Sequence, residues 1–557
     1  MKKQIIIWLI TVLLFELNLY AQNQANTWYF GYMNGLDFNS GYPVYLPDCP
    51  RWLGFTTSVS DTNGNLLFFT DGQTVWNKDR EIMQNGDGLH GDWIIRQPAV
   101  ICNDPGNPER YYLFTVGSLD VYKGLEYNII DMSLDNGRGA IIEKNVVVSS
   151  GQFAKHKITA VRQANNLDWW IITRFQEPNN PNAWASFSLT SSGLNPVPVI
   201  SPAYHLNTMQ CGPVKVSHDR KKLISVQTGN ANSHGSFDVC DFDKNTGIIS
   251  HKFHIKEHCD ACFGIYGMEM SPDSKLLYIS FDALHLVPPN QHFTFIYQYD
   301  LTITDSLDFL NSRLTISTNS SASDLQLAPD GKIYVTTTAL DPLQGRYLGA
   351  IHNVWKRGIF CNYEISSVEV GTPNNNFIST IPSFPAELLF RFVWYGGPCA
   401  KTPFTFRHRF IPEPDSIVWD FGDGATSTDF NPTHIFNSGG NYEVHAHVVY
   451  PDGRIEETSR EVEVHAAPEP WLGNDTLICS NATIELNAGA GFTQYVWNGQ
   501  FPPGNQYYTV TDTGYYRVRV KNDLNCFGYD TVHVALYPPV FLDISQAEIS
   551  NTTCSNS

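Results

Sequence analysis

The chain has 557 residues, of which 42% are hydrophobic and 16% charged, so it is a globular protein of several domains and not a disordered one. A formal net charge of −19 makes nucleic acid and anionic membrane poor partners. Aromatic residues at 13%, with 41 Gly and 32 Pro, favour β structure rich in turns.

Lys2 and Lys3 precede the apolar run IIIWLITVLLF, and the polar-tolerant ELNLYAQ follows. This is a signal-peptide pattern over residues 1–21, with cleavage expected after Ala21. The run is short for a membrane span, and no second apolar span follows, so the mature chain is expected to have no transmembrane segment. The expected location is secreted or at the cell surface. Export permits disulfides, and eleven cysteines leave an odd one, for which Cys554 near the end is the candidate.

Residues 22–397 repeat one pattern: an inner strand, a polar turn and a second apolar strand. The inner strands are GFTTSVS, QPAVICN, KITAVRQ, GPVKVSH, IYGMEMS, SDLQLAP and NNFISTI, beginning at positions 54, 97, 157, 212, 265, 323 and 375. A period of this length marks a radial array of small antiparallel sheets, because no single unit can bury both its faces. The fold class expected is all-β: a β-propeller of about seven blades, between six and eight, followed by two β-sandwich domains. The last unit lacks outer strands, and the N-terminal WYFGYMNGLDF is positioned to supply them and close the ring.

The pattern changes after Pro398. Trp419-Asp420-Phe421-Gly422-Asp423-Gly424, then Pro432, His434 and Phe436, then Gly440 and Tyr442, resemble a PKD domain, a β-sandwich common in extracellular proteins. The alternation of Trp419 and Phe421 against Val418 and Asp420 independently gives one aromatic and one polar strand face. Residues 398–466 are assigned to this module.

Residues 467–538 alternate in the same way and read as an immunoglobulin-like sandwich, with Cys479 expected to pair with Cys526 and Trp497 near the bridge. Residues 539–557 read as the start of a further module or a tail. An exported propeller followed by PKD and immunoglobulin-like modules resembles the large surface proteins of gliding Bacteroidota. That resemblance implies export by the type IX secretion system and an adhesive role, although no terminal sorting domain is visible.

Three groups invite a chemical reading. HKFHIKEHCDAC, residues 251–262, places His251, His254, His258, Cys259 and Cys262 at zinc-like spacing. On a regular strand His251 and His254 would point to opposite faces, and the two cysteines could equally form a disulfide, so metal binding is the minority reading. DFDKNTG, residues 241–247, has calcium-style oxygens, but its Gly is misplaced for an EF-hand loop and a hairpin turn accounts for it. Asp61, Asp273 and Asp330 recur at one place in successive units, as turn formers do and a catalytic pair does not. No cofactor is called for; calcium and zinc remain the lesser alternatives. Trp52, Trp76, Trp93, Trp169, Trp170 and Trp184 suit sugar or protein binding, against blade core as the plainer reading.

The sequence supports a cell-surface binding or adhesion protein, its propeller a platform for an extracellular glycan or protein ligand and its sandwiches spacers. The competing reading is a secreted glycan-active hydrolase with the propeller as catalytic domain. No catalytic residue and no ligand-contacting residue is singled out.

Overall fold

The computed structural model describes residues 23–538, apart from 32–33, 48, 50–52, 62, 93–95, 118–123, 149–152, 166, 177–181, 205–211, 229–234, 257–261, 285–291, 321, 338–345, 371–379, 390, 397, 409, 411–413, 452, 454, 481 and 501–503. The signal-peptide assignment, Trp52, Trp93, His258, Cys259 and Cys554 therefore lie outside the described residues. The chain divides into two compact units. The first comprises residues 1–393, 406–432 and 443–460; the second comprises 394–405, 433–442 and 461–557.

In the first unit, seven small antiparallel sheets follow one another among the described residues, and the strands are laid down in sequence order. Sheet I holds Thr27–Phe30, Asn34–Asp37 and Val44–Leu46; sheet II holds Thr57–Ser60, Leu66–Thr70 and Val75–Asn77. Sheet III runs from Ala99–Asp104 to Ala140–Val147, sheet IV from Phe153–Arg162 to Val199–Pro202, and sheet V from Val214–Val216 to Ile249–Lys256. Sheet VI runs from Cys262–Met270 to Leu314–Ser320, and sheet VII from Ala322–Leu327 to Tyr363–Glu369. Six of the seven inner strands read from the sequence are the first strands of sheets II to VII. The seventh falls mostly in 371–379, outside the described residues.

Each sheet buries both faces against its neighbours, as a propeller requires. Val59 and Phe68 of sheet II share a core with Ile101 and Leu113 of sheet III. The same holds for Phe114 and Ile171 between III and IV, Trp184 and Leu223 between IV and V, and Phe237 and Ile279 between V and VI. Trp28, Phe30 and Phe38 of sheet I join Tyr334 and Leu348 of sheet VII, while Tyr29 of sheet I meets Phe69 and Trp76 of sheet II. The ring closes, and the N-terminal stretch closes it. The hydroxyl of Thr380 adds a hydrogen bond to the Gly54 carbonyl at 2.9 Å.

The repeated aspartates act as turn formers. Asp61 Oδ1 accepts from the backbone N–H of Asn63 and Asn65 at 2.8 and 2.9 Å, and Asp273 and Asp330 accept from Lys275 and Lys332. Asp243 accepts from the Asn245 N–H and the Thr246 hydroxyl, so DFDKNTG is a hydrogen-bonded turn.

The first unit also holds Ser416–Asp420, paired with the strand Gly440–Val449 from Ser416↔Val449 to Asp420↔His445. Ile417, Trp419 and Phe421 are buried together with Val444, Ala446 and Val448. Asp420 and Asp423 again serve turns, accepting from Gly422 and Ala425.

In the second unit, Pro403–His408 pairs with Thr433–Ile435, and Phe404 meets Phe436 edge-on at 5.2 Å. Its larger sheet orders Thr476–Ile478, Phe527–Leu536, Gly514–Lys521 and Gln494–Trp497; a two-stranded sheet joins Ile484–Asn487 to Tyr507–Val510. Leu486, Trp497, Val510, Val518, Val520, Val532 and Val534 form the core between them.

The expected bridge between Cys479 and Cys526 is absent. Cys526 is bonded to Cys399, not to Cys479, and Cys479 carries a free, exposed thiol. Cys526 is buried at the turn before the last long strand, with Cα 5.6 Å from Cys399, a geometry a disulfide can span. Trp497 instead stacks on Tyr508 at 5.2 Å.

Candidate functional site

The inner strands of a propeller point side chains at its axis, so residues far apart in sequence converge there. Lys215 of sheet V, Glu269 of sheet VI and Gln326 of sheet VII meet in this way. Lys215 Nζ lies 2.7 Å from Glu269 Oε2 and 2.9 Å from Gln326 Oε1. Glu269 also accepts from the backbone N–H of Leu327 and Met270, each at 2.9 Å. Both charges are buried, and a buried ion pair persists only when its remaining donors and acceptors are met in this fashion.

Gln97 clamps Val214 from both sides, accepting from its N–H at 2.7 Å and donating to its C=O at 3.0 Å. The ammonium of Lys157 donates to the carbonyls of Gly212 and Val226. The cavity beside Lys215, Glu269 and His218 measures about 10 Å³, room for roughly one water. Phe384, Ala386 and Leu389 line it as well. Burial drives the His218 imidazole down to about 4, so it is neutral at pH 7.

Toward the N-terminal ends of the inner strands the lining changes. The Arg96 guanidinium lies over the Tyr266 ring at 4.4 Å and the Phe55 ring at 5.4 Å. Asp324 belongs to the same surroundings: burial pushes its carboxyl above the usual range, against the opposing charges of Arg96 and Lys215. The ring-stacked Arg96 guanidinium beside it can recognise an anion.

A second polar cluster sits on sheet V, where the sequence suggested zinc. His254 Nδ1 is 2.8 Å from Asp238 Oδ1, and His251 Nε2 is 3.6 Å from the same oxygen. The two histidines were expected on opposite faces. A bulge at Lys252, where the pairing steps from Val239↔Phe253 to Cys240↔His251, brings both to one carboxylate. Burial alone would raise Asp238, but the His254 hydrogen bond and the neighbouring His254, Arg174 and His251 charges bring it below its ordinary value. Tyr204 stacks on His251 at 4.3 Å.

Of the remaining zinc candidates, His258 and Cys259 lie outside the described residues, as does the side chain of Cys262. Among the described residues no three His, Cys, Asp or Glu side chains are grouped to hold a metal. Trp76, Trp169, Trp170 and Trp184 are all buried, so these four are blade core and no exposed binding set. The axial network was missed in the sequence because its members come from three sheets. The one available signal was a charged residue at an inward position of an inner strand.

Comparisons with known proteins add the following. A microbial collagenase of Vibrio alginolyticus is 42% identical over 62 residues, which is 11% of this chain and 7% of the collagenase. The chain thus spans a small fraction of the length of the curated relatives it matches. The hydrazine synthase of Kuenenia stuttgartiensis aligns over 68% of this chain and 94% of its own, at 10% identity and a TM-score of 0.35. An exo-β-1,3-galactanase of Phanerochaete chrysosporium aligns over 69% and 92%, at 8% identity and a TM-score of 0.29. Similarity this loose adds nothing to the sheet order described above. The specific match is local, and it falls on the Trp-Asp-Phe-Gly-Asp-Gly segment: residues 398–464 match the PKD domain family.

Proposed function

We propose that the chain is an exported binding or adhesion protein of the cell surface. Its propeller, residues 22–397, is the ligand platform, and the modules at 398–466 and 467–538 carry it. The observation that carries this reading is the state of the axis. Glu269, an axial carboxylate, is paired with Lys215 beside a space for roughly one water. A glycosidase needs two carboxyl groups about 5–10 Å apart with a sugar between them. A PKD domain and a disulfide fit an extracellular setting, and no helix among the described residues is long and apolar enough to cross a membrane. Export through a type IX route by a gliding bacterium belongs to the same proposal, and N-terminal sequencing of secreted protein tests cleavage after Ala21.

Arg96, between Phe55 and Tyr266, is the residue assigned to ligand contact. The test is a glycan and protein array probed with the full chain, run beside a hydrolysis screen. Binding that Arg96→Ala abolishes, without turnover, is the expected result. Turnover of any polysaccharide lost in Asp324→Asn would replace this reading with the hydrolase. That second reading has one observation in its favour, the raised carboxyl of Asp324, which is what a general acid requires.

A further inference from the structure

The larger sheet of the second unit has one face in its core and one in solvent. Val518 and Val520 of Gly514–Lys521, with Val532 and Val534 of Phe527–Leu536, point inward. The outward positions of the same two strands hold Tyr515, Arg517, Arg519 and Lys521 opposite His533, Thr531, Tyr529 and Phe527. This is not the usual polar face of a solvated sheet. Tyr515 is 75% exposed, Tyr529 52% and Phe527 43%.

Cations and rings are interleaved in contact. The Arg517 guanidinium lies 4.7 Å from the Tyr529 ring centre and that of Arg519 lies 5.1 Å from Phe527. Lys521 Nζ is 5.8 Å from Phe527, and Tyr515 stacks on His533 at 4.5 Å.

The charge on this face runs against the rest of the chain. The protein has 55 acidic residues to 36 Lys and Arg, yet no Asp or Glu occupies an outward position on these two strands. Asp530 is on the opposite face, accepting from the Leu472 N–H. Three cations therefore stand in a row at every second residue, about 6.8 Å apart along the strand. The Arg517 and Arg519 guanidinium groups each lie over a ring, a contact that reduces the side-chain entropy lost when the fork engages an anion.

We propose that this face binds an acidic polysaccharide, with the Arg and Lys row taking the carboxylates or sulfates. Tyr515 and Tyr529 then receive the apolar faces of sugar rings. A linear polymer fits because the cations repeat along a flat row. A folded protein partner would call for a pocket to seat an anchor residue, and the row offers none among its described residues. A nucleic acid is the other linear polyanion such a row could meet, and single-stranded DNA is therefore one arm of the test. The proposal gives the C-terminal sandwich a binding role of its own, independent of the ligand of the propeller.

The test is affinity electrophoresis of the full chain through gels containing polygalacturonate, chondroitin sulfate, neutral dextran or single-stranded DNA. Retardation by one or both acidic glycans and not by dextran or DNA is expected. Polygalacturonate alone identifies a carboxylate ligand, and chondroitin sulfate alone a sulfate ligand. The double variant Arg517→Gln/Arg519→Gln is expected to weaken binding about tenfold or more, and Tyr515→Ala to weaken it with every charge intact. Near-ultraviolet circular dichroism checks that both fold; Lys521→Gln serves if the double variant does not. Retardation unchanged in the folded variants, equal retardation by DNA, or a salt-sensitive dimer in plain gels would overturn the proposal. Binding lost in these variants but kept in Arg96→Ala separates this site from the propeller platform.

Discussion

Two buried titratable groups at the axis make opposite demands on their surroundings. His218 is neutral because burial lowers it to about 4 from 6.5. Between those values the unfolded chain takes up a proton that the folded chain refuses, so stability falls as pH drops through this window. At about 1.4 kcal/mol per pH unit, the loss from this group approaches roughly 3 kcal/mol. Asp238, lowered in the fold from 3.8, adds a loss of the same sign only at more acid pH, below that value. Urea melts at pH 7 and pH 4.5 are expected to show the decline, and His218→Gln should flatten part of it. Lys215 is buried and paired with Glu269, and its removal strands that carboxylate. Lys215→Met is expected to cost about 3–5 kcal/mol, while the double change Lys215→Met/Glu269→Leu should recover much of that. Thermal melts of the three proteins check the order.

At the scale of elements, the turns were readable in the sequence and the irregularities were not. Asp61, Asp273 and Asp330 recur because each satisfies the backbone donors of a tight turn, which is a local effect. The bulge at Lys252 has no such signature: it is set by pairing with a neighbouring strand, and it reverses the face assigned to His251. Deleting Lys252 should remove the bulge and leave His251 and His254 at alternate positions of a regular strand, still on the face of Asp238. Histidine NMR signals unchanged from wild type are the expected result, and a loss of their common response to Asp238→Asn would contradict it.

The partner of Cys526 was equally hidden, because alternation places a cysteine on a strand without saying what approaches it. Cys399 lies 127 residues earlier. Non-reducing peptide mapping is expected to recover the 399–526 pair in wild type and in Cys479→Ala. Cys399→Ser should cost about 2–5 kcal/mol. In the PKD domain, Gly422 holds φ at +76°, and an added Cβ would come within 2.7 Å of the Glu443 carbonyl oxygen. Gly422→Ala should therefore destabilise by more than about 1 kcal/mol in a urea melt.

For the propeller as a whole, the number of sheets, their order and the role of the first segment were legible, because each sheet repeats one short pattern. The axial residues were not, since convergence around an axis depends on how sheets are arranged and leaves no mark on any one repeat. Trp28 shows how much rests on closure. It is fully buried, with its ring 4.9 Å from Phe38, 5.8 Å from Phe384 and 6.1 Å from Tyr334. Trp28→Ala should cost about 3–5 kcal/mol, read from the urea midpoint.

Closure also sets a timetable. Trp28, Phe30 and Phe38 of sheet I pack on Tyr334 and Leu348 of sheet VII and on Phe384, so the first sheet has no lasting partner on one side until nearly four hundred residues are available. Until then its aromatic face stays open to water and to other chains. Contacts of such long range make folding slow and leave intermediates prone to aggregation. A cell producing this protein must shield that face during synthesis, and the propeller can reach its final form only after residue 380 has joined the rest.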